Sequence, residues 1–268
     1  EVVIDCTPAG NKNKEDFYKD LPGNSRVFVA QGSESGFGIP YAYGINDEIL
    51  DDAKECPRFI QVVSCNTHNI ACLIKTLTPN SDPVCADFVC IRRANDISQD
   101  GSFVASPTLS SHSDDTFGTH HAKDVDSLFD TVGRKSNAFS SALKVNSQYM
   151  HTIRFSITIP APVTKEEVIE SFQLNPFVAL THKTSSNKVF SFGRDHGEYG
   201  RIYNQAVVSL PSLHTIRDGN STKVSGFCFT PQDGNSLLSS AAVALYGVHG
   251  DRYKSYLPSL GKMLFDVI

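Results

Sequence analysis

The chain has 268 residues, 40% of them hydrophobic and 20% charged, with a formal net charge of −5. No apolar run approaches the roughly 20 residues of a membrane-spanning helix, and the acidic balance gives no global attraction to nucleic acid or to an anionic membrane. The size suits one large domain or two smaller ones, and any anionic ligand must be held by a local basic cluster, of which Arg92-Arg93 is the obvious one.

The sequence opens on "EVVIDCTPAG", inside what reads as a buried strand and without a methionine, so the chain is expected to be a piece of a longer protein. Val2 to Ile4, a loop from Thr7 to Gly10 and a charged helical stretch from Lys12 to Lys19 form a strand, loop, helix unit. "RVFVAQG" (Arg26 to Gly32) and "RFIQVVS" (Arg58 to Ser64) are short β-rich runs of the kind buried in a parallel sheet. Strands alternating with helices predict a doubly wound α/β sheet, whose ligands sit beyond the strands' carboxyl ends. Three loops qualify: Thr7 to Gly10, Gln31 to Ser33, and Ser64 to Thr67.

Ile70 to Leu77 reads as helical, and then the pattern changes. "DFVCIRR" (Asp87 to Arg93) and "HTIRFSITI" (His151 to Ile159) are long strands, the second alternating as in a sheet with one covered face. From Ser98 to Ser141 a Ser/Asp/His-rich stretch predicts long loops with a helix near Asp124 to Phe129, and Ser136 to Ser147 lacks an apolar strand pattern. "VTKEEVIESF" (Val163 to Phe172) is a helix with Thr164 as N-cap and Glu167 as its capping-box partner. The strands "NQAVVSL" and "KVSGFCF" and a helix over Leu237 to Leu245 complete a second, α+β unit.

Seven cysteines, odd in number and without CxxC pairs, favour reduced thiols in a cytoplasmic setting over a disulfide framework. Cys6, Cys72, Cys85, Cys90 and Cys228 are expected in the core, and Cys56 is undecided. Cys65 differs. It lies at a strand's carboxyl end beside Ser64, Asn66 and Thr67, where the N–H groups and dipole of a following helix favour the thiolate. His120-His121, in what reads as a Gly/Thr/Ser loop, suits phosphate; metal lacks a third ligand at close spacing. His151 suits either a structural or a functional role, and the direction of His68 is open. Arg92 and Arg93, as strand neighbours, must point to opposite faces, so at most one reaches a given site.

Taken together, "VVIDCTPAGNKNK", "QVVSCNT", "IRRA", "HHAKDV", "MH" before a long strand and the late "PQDGN" fall in the order of one family. The chain resembles the archaeal-type (class II) glyceraldehyde-3-phosphate dehydrogenases from residue 1 to about 247. The resemblance implies a truncated Rossmann-type parallel sheet followed by an α+β catalytic domain with a mostly antiparallel sheet. Its implied bounds are 1–64, 65–235 and a C-terminal helix and tail over 236–268 that packs back on the nucleotide-binding part. It implies Cys65 as nucleophile and His151 as base, with NAD or NADP as cofactor. Ser64, Asn66, Thr67, His120, His121, Ala122 and Arg92 would contact substrate, and Ser33, Arg93 and Gln232 the cofactor. The substrates would be glyceraldehyde 3-phosphate and inorganic phosphate, the product 1,3-bisphosphoglycerate and the assembly a homotetramer, with neither nucleic acid nor membrane as partner.

Several positions depart from the family's pattern. Its "CNTTG" is Cys65-Asn66-Thr67-His68-Asn69 here, "HHGPD" is His120 to Asp124 with Ala122 for a glycine, and the second glycine of "QGG" is Ser33. "HQES" is reduced to Gln232-Asp233-Gly234-Asn235, and no GxGxxG-type loop stands before Val2. Aspartate-semialdehyde and N-acetyl-glutamyl-phosphate enzymes share the Cys/His logic, and a cofactor-free thioester chemistry or a non-catalytic scaffold are the competing readings.

Overall fold

The structure, a computed structural model, describes residues 2–22, 27–32, 34–51, 57–95 and 103–268. β1 (Val2–Asp5) leads through α1 (Gly10–Asn13), continued by a wide turn at Lys14–Tyr18, to β2 (Val27–Gln31). β3 (Ile39–Tyr41), α2 (Glu48–Asp51) and β4 (Phe59–Val62) follow. The four strands form a parallel sheet in the order β1-β2-β4-β3. A parallel strand covered on both faces must be apolar throughout, and β2 shows it. Val27 and Val29 face one cluster with Tyr41, Ile60 and Val62, while Phe28 and Ala30 face another with Phe37 and Phe59.

The rest of the chain builds a larger sheet. After α3 (Cys65–Leu77) come β5 (Cys85–Arg92), β6 (Thr108–Leu109), α4 (His120–Asp130), β7 (Ala138–Lys144) and β8 (His151–Ile159). Next are α5 (Lys165–Leu174), β9 (Val178–Thr181), α6 (Ser186–His196), β10 (Ala206–Ser209), β11 (His214–Asp218) and β12 (Ser221–Thr230). α7 (Leu237–His249) and α8 (Leu257–Leu260) end it. The strand order is β6-β7-β5-β8-β12-β10-β9, with β11 paired to the start of β12. β5/β7 and β9/β10 are parallel and the other pairs antiparallel. α3, α4 and α5 cover one face, where Ile70, Leu73, Leu128 and Phe172 meet Phe88, Ile153 and Phe155. Full burial of each such side chain is worth about 1.5–3 kcal/mol. α6 covers the other face at the β9/β10 end through Val189 and Phe190.

The C-terminal segment returns to the first sheet. Ala242, Val243 and Tyr246 of α7 and Tyr253 beyond it pack on Val27, Val29, Ile60 and Val62. Position 247 is glycine because a Cβ there would collide with Val2. The last residue goes elsewhere: Ile268 N donates to Leu180 O at 2.8 Å, tying the chain end to β9.

Several expectations need correction. α3 begins at Cys65 rather than near Ile70, because Ser64 caps it. The stretch expected to lack a strand contains β7, whose inward residues Ala138, Ser140 and Ala142 are small because α4 packs directly over them. His120 and His121 open α4 instead of lying in a loop. Cys72, Cys90 and Cys228 are buried, but Cys6 and Cys85 are exposed, being on a loop and at the start of a sheet strand's outer row. Cys56 and Ser33 lie outside the described residues. β3, β9, β11 and α6 had no clear sequence signal.

Candidate active site

The carboxyl ends of β1, β2 and β4 open on one edge of the small sheet, and α3 leaves that edge directly from β4. Ser64 is its N-cap: its Oγ accepts from Thr67 N at 3.3 Å and meets Thr67 Oγ1 at 2.8 Å. Cys65 is the first helical residue, so its sulfur stands where unsatisfied N–H groups and the helix dipole favour an anion. The cleft above it has a volume of about 740 Å3, and its lining includes Gln31, Gly32, Ser64, Cys65, Arg93 and Gln232.

The first turn of α3 is fixed from behind by side chains that the family pattern does not offer. His68 is fully buried; its Nδ1 lies 3.0 Å from Ser64 O and its Nε2 2.8 Å from Ser239 Oγ, which in turn accepts from Tyr43 N at 2.9 Å. Because the carbonyl can only accept, the proton sits on Nδ1. Burial drives the His68 pKa down to about 4, so the ring is neutral. Asn69 donates to Phe229 O and Thr230 Oγ1 at 3.2 and 3.0 Å, and accepts from Cys228 Sγ at 3.2 Å. Asn235 Nδ2 donates to Cys65 O at 2.9 Å and to Gln205 O at 3.2 Å. A threonine at 68 could still reach the Ser64 carbonyl, as Thr76 reaches that of Cys72 at 2.6 Å, but a Thr-Gly pair at 68–69 has no side chain for the contacts to Phe229 O, Thr230 and Cys228.

His151 starts β8, opposite Thr230 at the end of β12 and next to the end of β5. Its Nδ1 accepts from Arg93 N at 3.0 Å. Gln232 sits between His151 and the Arg93 guanidinium. A guanidinium has only donors, so the amide oxygen faces it, accepting from Nη2 at 2.6 Å and Nε at 2.7 Å, while the amide nitrogen lies 3.2 Å from the His151 ring nitrogens. Arg93 is 5% exposed, donates from Nη1 to Tyr149 O at 2.8 Å and pairs with Asp233 Oδ1 at 3.5 Å. The ring, the arginine and the amide thus brace one another at the cleft.

A second group lies at the start of α4. Asn66 Nδ2 donates to His121 Nε2 at 3.1 Å, and His121 Nδ1 meets Thr119 Oγ1 at 3.0 Å. Thr119 Oγ1 meets Ser140 Oγ at 2.7 Å, and Ser140 Oγ accepts from Ala122 N at 3.1 Å. Burial first, then the neighbouring His120, Arg92 and His151, push the His121 pKa down to about 3, so this ring is a neutral spacer that aligns Asn66. His120 stacks on it at 4.0 Å between ring centres, its own pKa lowered by burial and then by Arg92. Burial raises Asp124 to about 6.

Of the residues expected at the site, Ser64, Cys65, Arg93 and Gln232 line the cleft, and His151 is bonded to two of them. Asn66, His121 and Ala122 join the buried α3/α4 network, and the Thr67 hydroxyl is occupied by Ser64. Arg92 ends β5 near His120 and His121, so the two neighbouring arginines do serve different places. Sequence reasoning missed Phe190, Tyr199, Gly200 and Arg201, which wall the cleft on its far side. Their only local signal is a tyrosine between Gly197 and Gly200. Among the described residues no three metal-ligating side chains gather, and no helix is long and apolar enough to cross a membrane.

No protein-family model matches the chain. It is similar to the glyceraldehyde-3-phosphate dehydrogenase of Pyrococcus furiosus, 28% identical over 215 residues that cover 77% of this chain and 59% of that protein. The enzyme of the same name from Methanocaldococcus jannaschii is 24% identical over 231 residues, 81% of this chain and 63% of the relative. That of Pyrobaculum calidifontis is 26% identical over 226 residues, with 81% and 60% covered. The chain therefore spans about six-tenths of the length of these curated relatives.

Proposed function

We propose that this chain, a distant homologue of the archaeal glyceraldehyde-3-phosphate dehydrogenases, oxidises glyceraldehyde 3-phosphate to 1,3-bisphosphoglycerate through a thioester on Cys65. Supporting it most directly is one observation: Cys65 opens a Ser64-capped helix in a cleft where Arg93 and Gln232 both hold His151. On this reading residues 65–235 carry the chemistry, 1–64 belong to the nucleotide-binding part, and 236–268 return to it. The working form is a cytoplasmic homotetramer.

The Cys65 sulfur adds to the aldehyde carbon, forming a C–S bond and an oxyanion. His151, held through Nδ1 by the Arg93 N–H, would steady first the sulfur and then the oxyanion. Bound NAD or NADP would accept the hydride that leaves this carbon. A phosphate oxygen then attacks the Cys65 thioester, breaking the C–S bond and returning the thiolate to the helix N-terminus. Arg92, beside the neutral-leaning His120, is the cation suited to hold that phosphate. Polar groups fit a dinucleotide on the other side: Gln31 accepts from Ser240 Oγ at 3.0 Å, yet its Nε2 is buried without a partner beside the cleft. Gln31, Gly32 and Gln232 would hold it.

Alkylation by iodoacetamide at pH 7, read site by site by mass spectrometry, tests the nucleophile. Cys65 should label at least tenfold faster than the exposed Cys6 and Cys85, and His151→Asn should remove most of that advantage. Incubation with glyceraldehyde 3-phosphate and NAD or NADP should then leave an acyl adduct on Cys65 that phosphate releases. Labelling of Cys65 no faster than Cys6 and Cys85 would sink the reading.

A further inference from the structure

Among the described residues, two of the three non-glycine positions with left-handed backbone are tyrosines beside the cleft: Tyr149 at φ 80° and Tyr199 at φ 55°. They are linked through Phe190, on which Tyr149 packs at 4.9 Å and which lines the cleft together with Tyr199. Such conformations persist only where surrounding structure enforces them, and they gather at functional sites. For Tyr149 the result is visible, since its carbonyl takes a hydrogen bond from Arg93. Nothing comparable is served inside the protein by Tyr199, which is 84% exposed and followed by Gly200 at φ 70°.

The segment is nevertheless built rigidly. Gly200 N donates to Gly197 O at 2.9 Å and Arg201 N to Glu198 O at 3.2 Å. A Cβ on Gly197 would collide with the Arg201 carbonyl, and one on Gly234 with the Ile202 carbonyl. The lip from Tyr199 to Arg201 is thereby clamped between the end of α6 and the same loop that carries Gln232 and Asp233. What it presents is a cation. Arg201 lines the cleft, is exposed and lies near the Tyr203 phenol; among the described residues no carboxylate pairs with it. Arg93 differs, being committed to Tyr149, Gln232 and Asp233.

We propose that Arg201, held out by the Tyr199-Gly200 turn, is the cleft's specificity-determining anion contact and grips a phosphate group of the molecule lying over Cys65. The inference deepens the proposed function and rests on it for the identity of that molecule. Both a phosphorylated aldehyde and a nicotinamide dinucleotide bring phosphate into this cleft, and the same chemistry recognises either.

The test titrates the full chain, as wild type, Arg201→Gln and Arg201→Lys, with glycerol 3-phosphate and separately with NADH, by calorimetry at two salt concentrations. Arg201→Gln should weaken at least one probe about tenfold or more and flatten its salt dependence, and Arg201→Lys should recover part of the loss. Loss confined to glycerol 3-phosphate assigns the sugar phosphate to Arg201; loss confined to NADH assigns a dinucleotide phosphate. Unchanged affinity for both, or a wild type that binds neither at millimolar concentration, overturns the proposal. Calorimetry does not require a reactive thiol, so an unreactive Cys65 would defeat the proposed function while leaving this result to be read by itself.

Discussion

Tyr199 stands in a conformation that costs a non-glycine residue about 1 kcal/mol or more, and it buries almost nothing in return. Tyr199→Gly is accordingly expected to raise the stability of the chain by about 1 kcal/mol, read as a higher denaturation midpoint, while weakening phosphate-bearing ligands because the lip loses its fixed shape. Gly197→Ala should instead lower the denaturation midpoint, since its methyl group would collide with the Arg201 and Gly193 carbonyls, and it too should weaken those ligands by displacing the lip. The contrast explains why this wall of the site was illegible in the sequence. Tyr199 and Arg201 owe their place to glycines at 197 and 234, and nothing local to "GEYGR" says that its backbone will press against "PQDGN". Cys65 was legible for the converse reason: an apolar strand that stops at Ser-Cys-Asn-Thr marks a strand end ahead of a helical run, although the cap at Ser64 that starts the helix at Cys65 was not read.

At the level of elements, two helix caps of the same chemical kind differ in what depends on them. Thr164 of α5 makes a complete capping box, its Oγ1 accepting from Glu167 N at 3.2 Å and its own N donating to Glu167 Oε2 at 2.7 Å. Thr164→Ala should cost about 1 kcal/mol in a urea unfolding experiment and leave Cys65 labelling unchanged, because α5 lies far along the chain from the cleft and lines none of it. Ser64→Ala should cost a similar amount and also slow Cys65 labelling severalfold, because the residue it uncaps is the nucleophile's neighbour. The α5 box was readable from sequence, as was β8, whose alternation is complete enough to show one covered face. β7 was hidden because its buried row is Ala, Ser, Ala, chosen for closeness to α4 rather than for hydrophobicity. α6 was hidden by Gly193, which sits within the helix because Ile202 packs against its bare face.

For the molecule as a whole, the buried polar groups that shape the site also set its response to acid. His68 and His121 have pKa values pushed from 6.5 to about 4 and about 3, burial being the main cause in each. In the unfolded chain both rings bind a proton as pH falls through 6.5, whereas in the folded chain neither does until the lower values, so each removes stability across that window. Asp124 works the other way. Its folded pKa is raised by burial from 3.8 to about 6, so below pH 6 the folded state holds a proton that the unfolded state lacks, and stability is gained. Between pH 6 and 4 the protons on His68 and His121 each favour unfolding and the proton on Asp124 opposes them; His120, lowered by burial, acts with the first pair and Asp47, raised by burial, with Asp124. Asp5 enters only later. Burial opposes its charge, but hydrogen bonds from Asn13, Thr7 and Tyr18 hold it near 2, so the stability it adds is lost as pH drops from 3.8 toward 2. The discriminating variant is therefore Asp124→Asn. Urea midpoints at pH 7.5, 5.5 and 4.5 should fall more steeply with acid in Asp124→Asn than in the wild type, and less steeply in His68→Asn. Parallel slopes in all three proteins would show that neither buried ring nor carboxyl governs the acid limb, and that the neutral His68 and His121 networks behind Cys65 can take up protons without breaking.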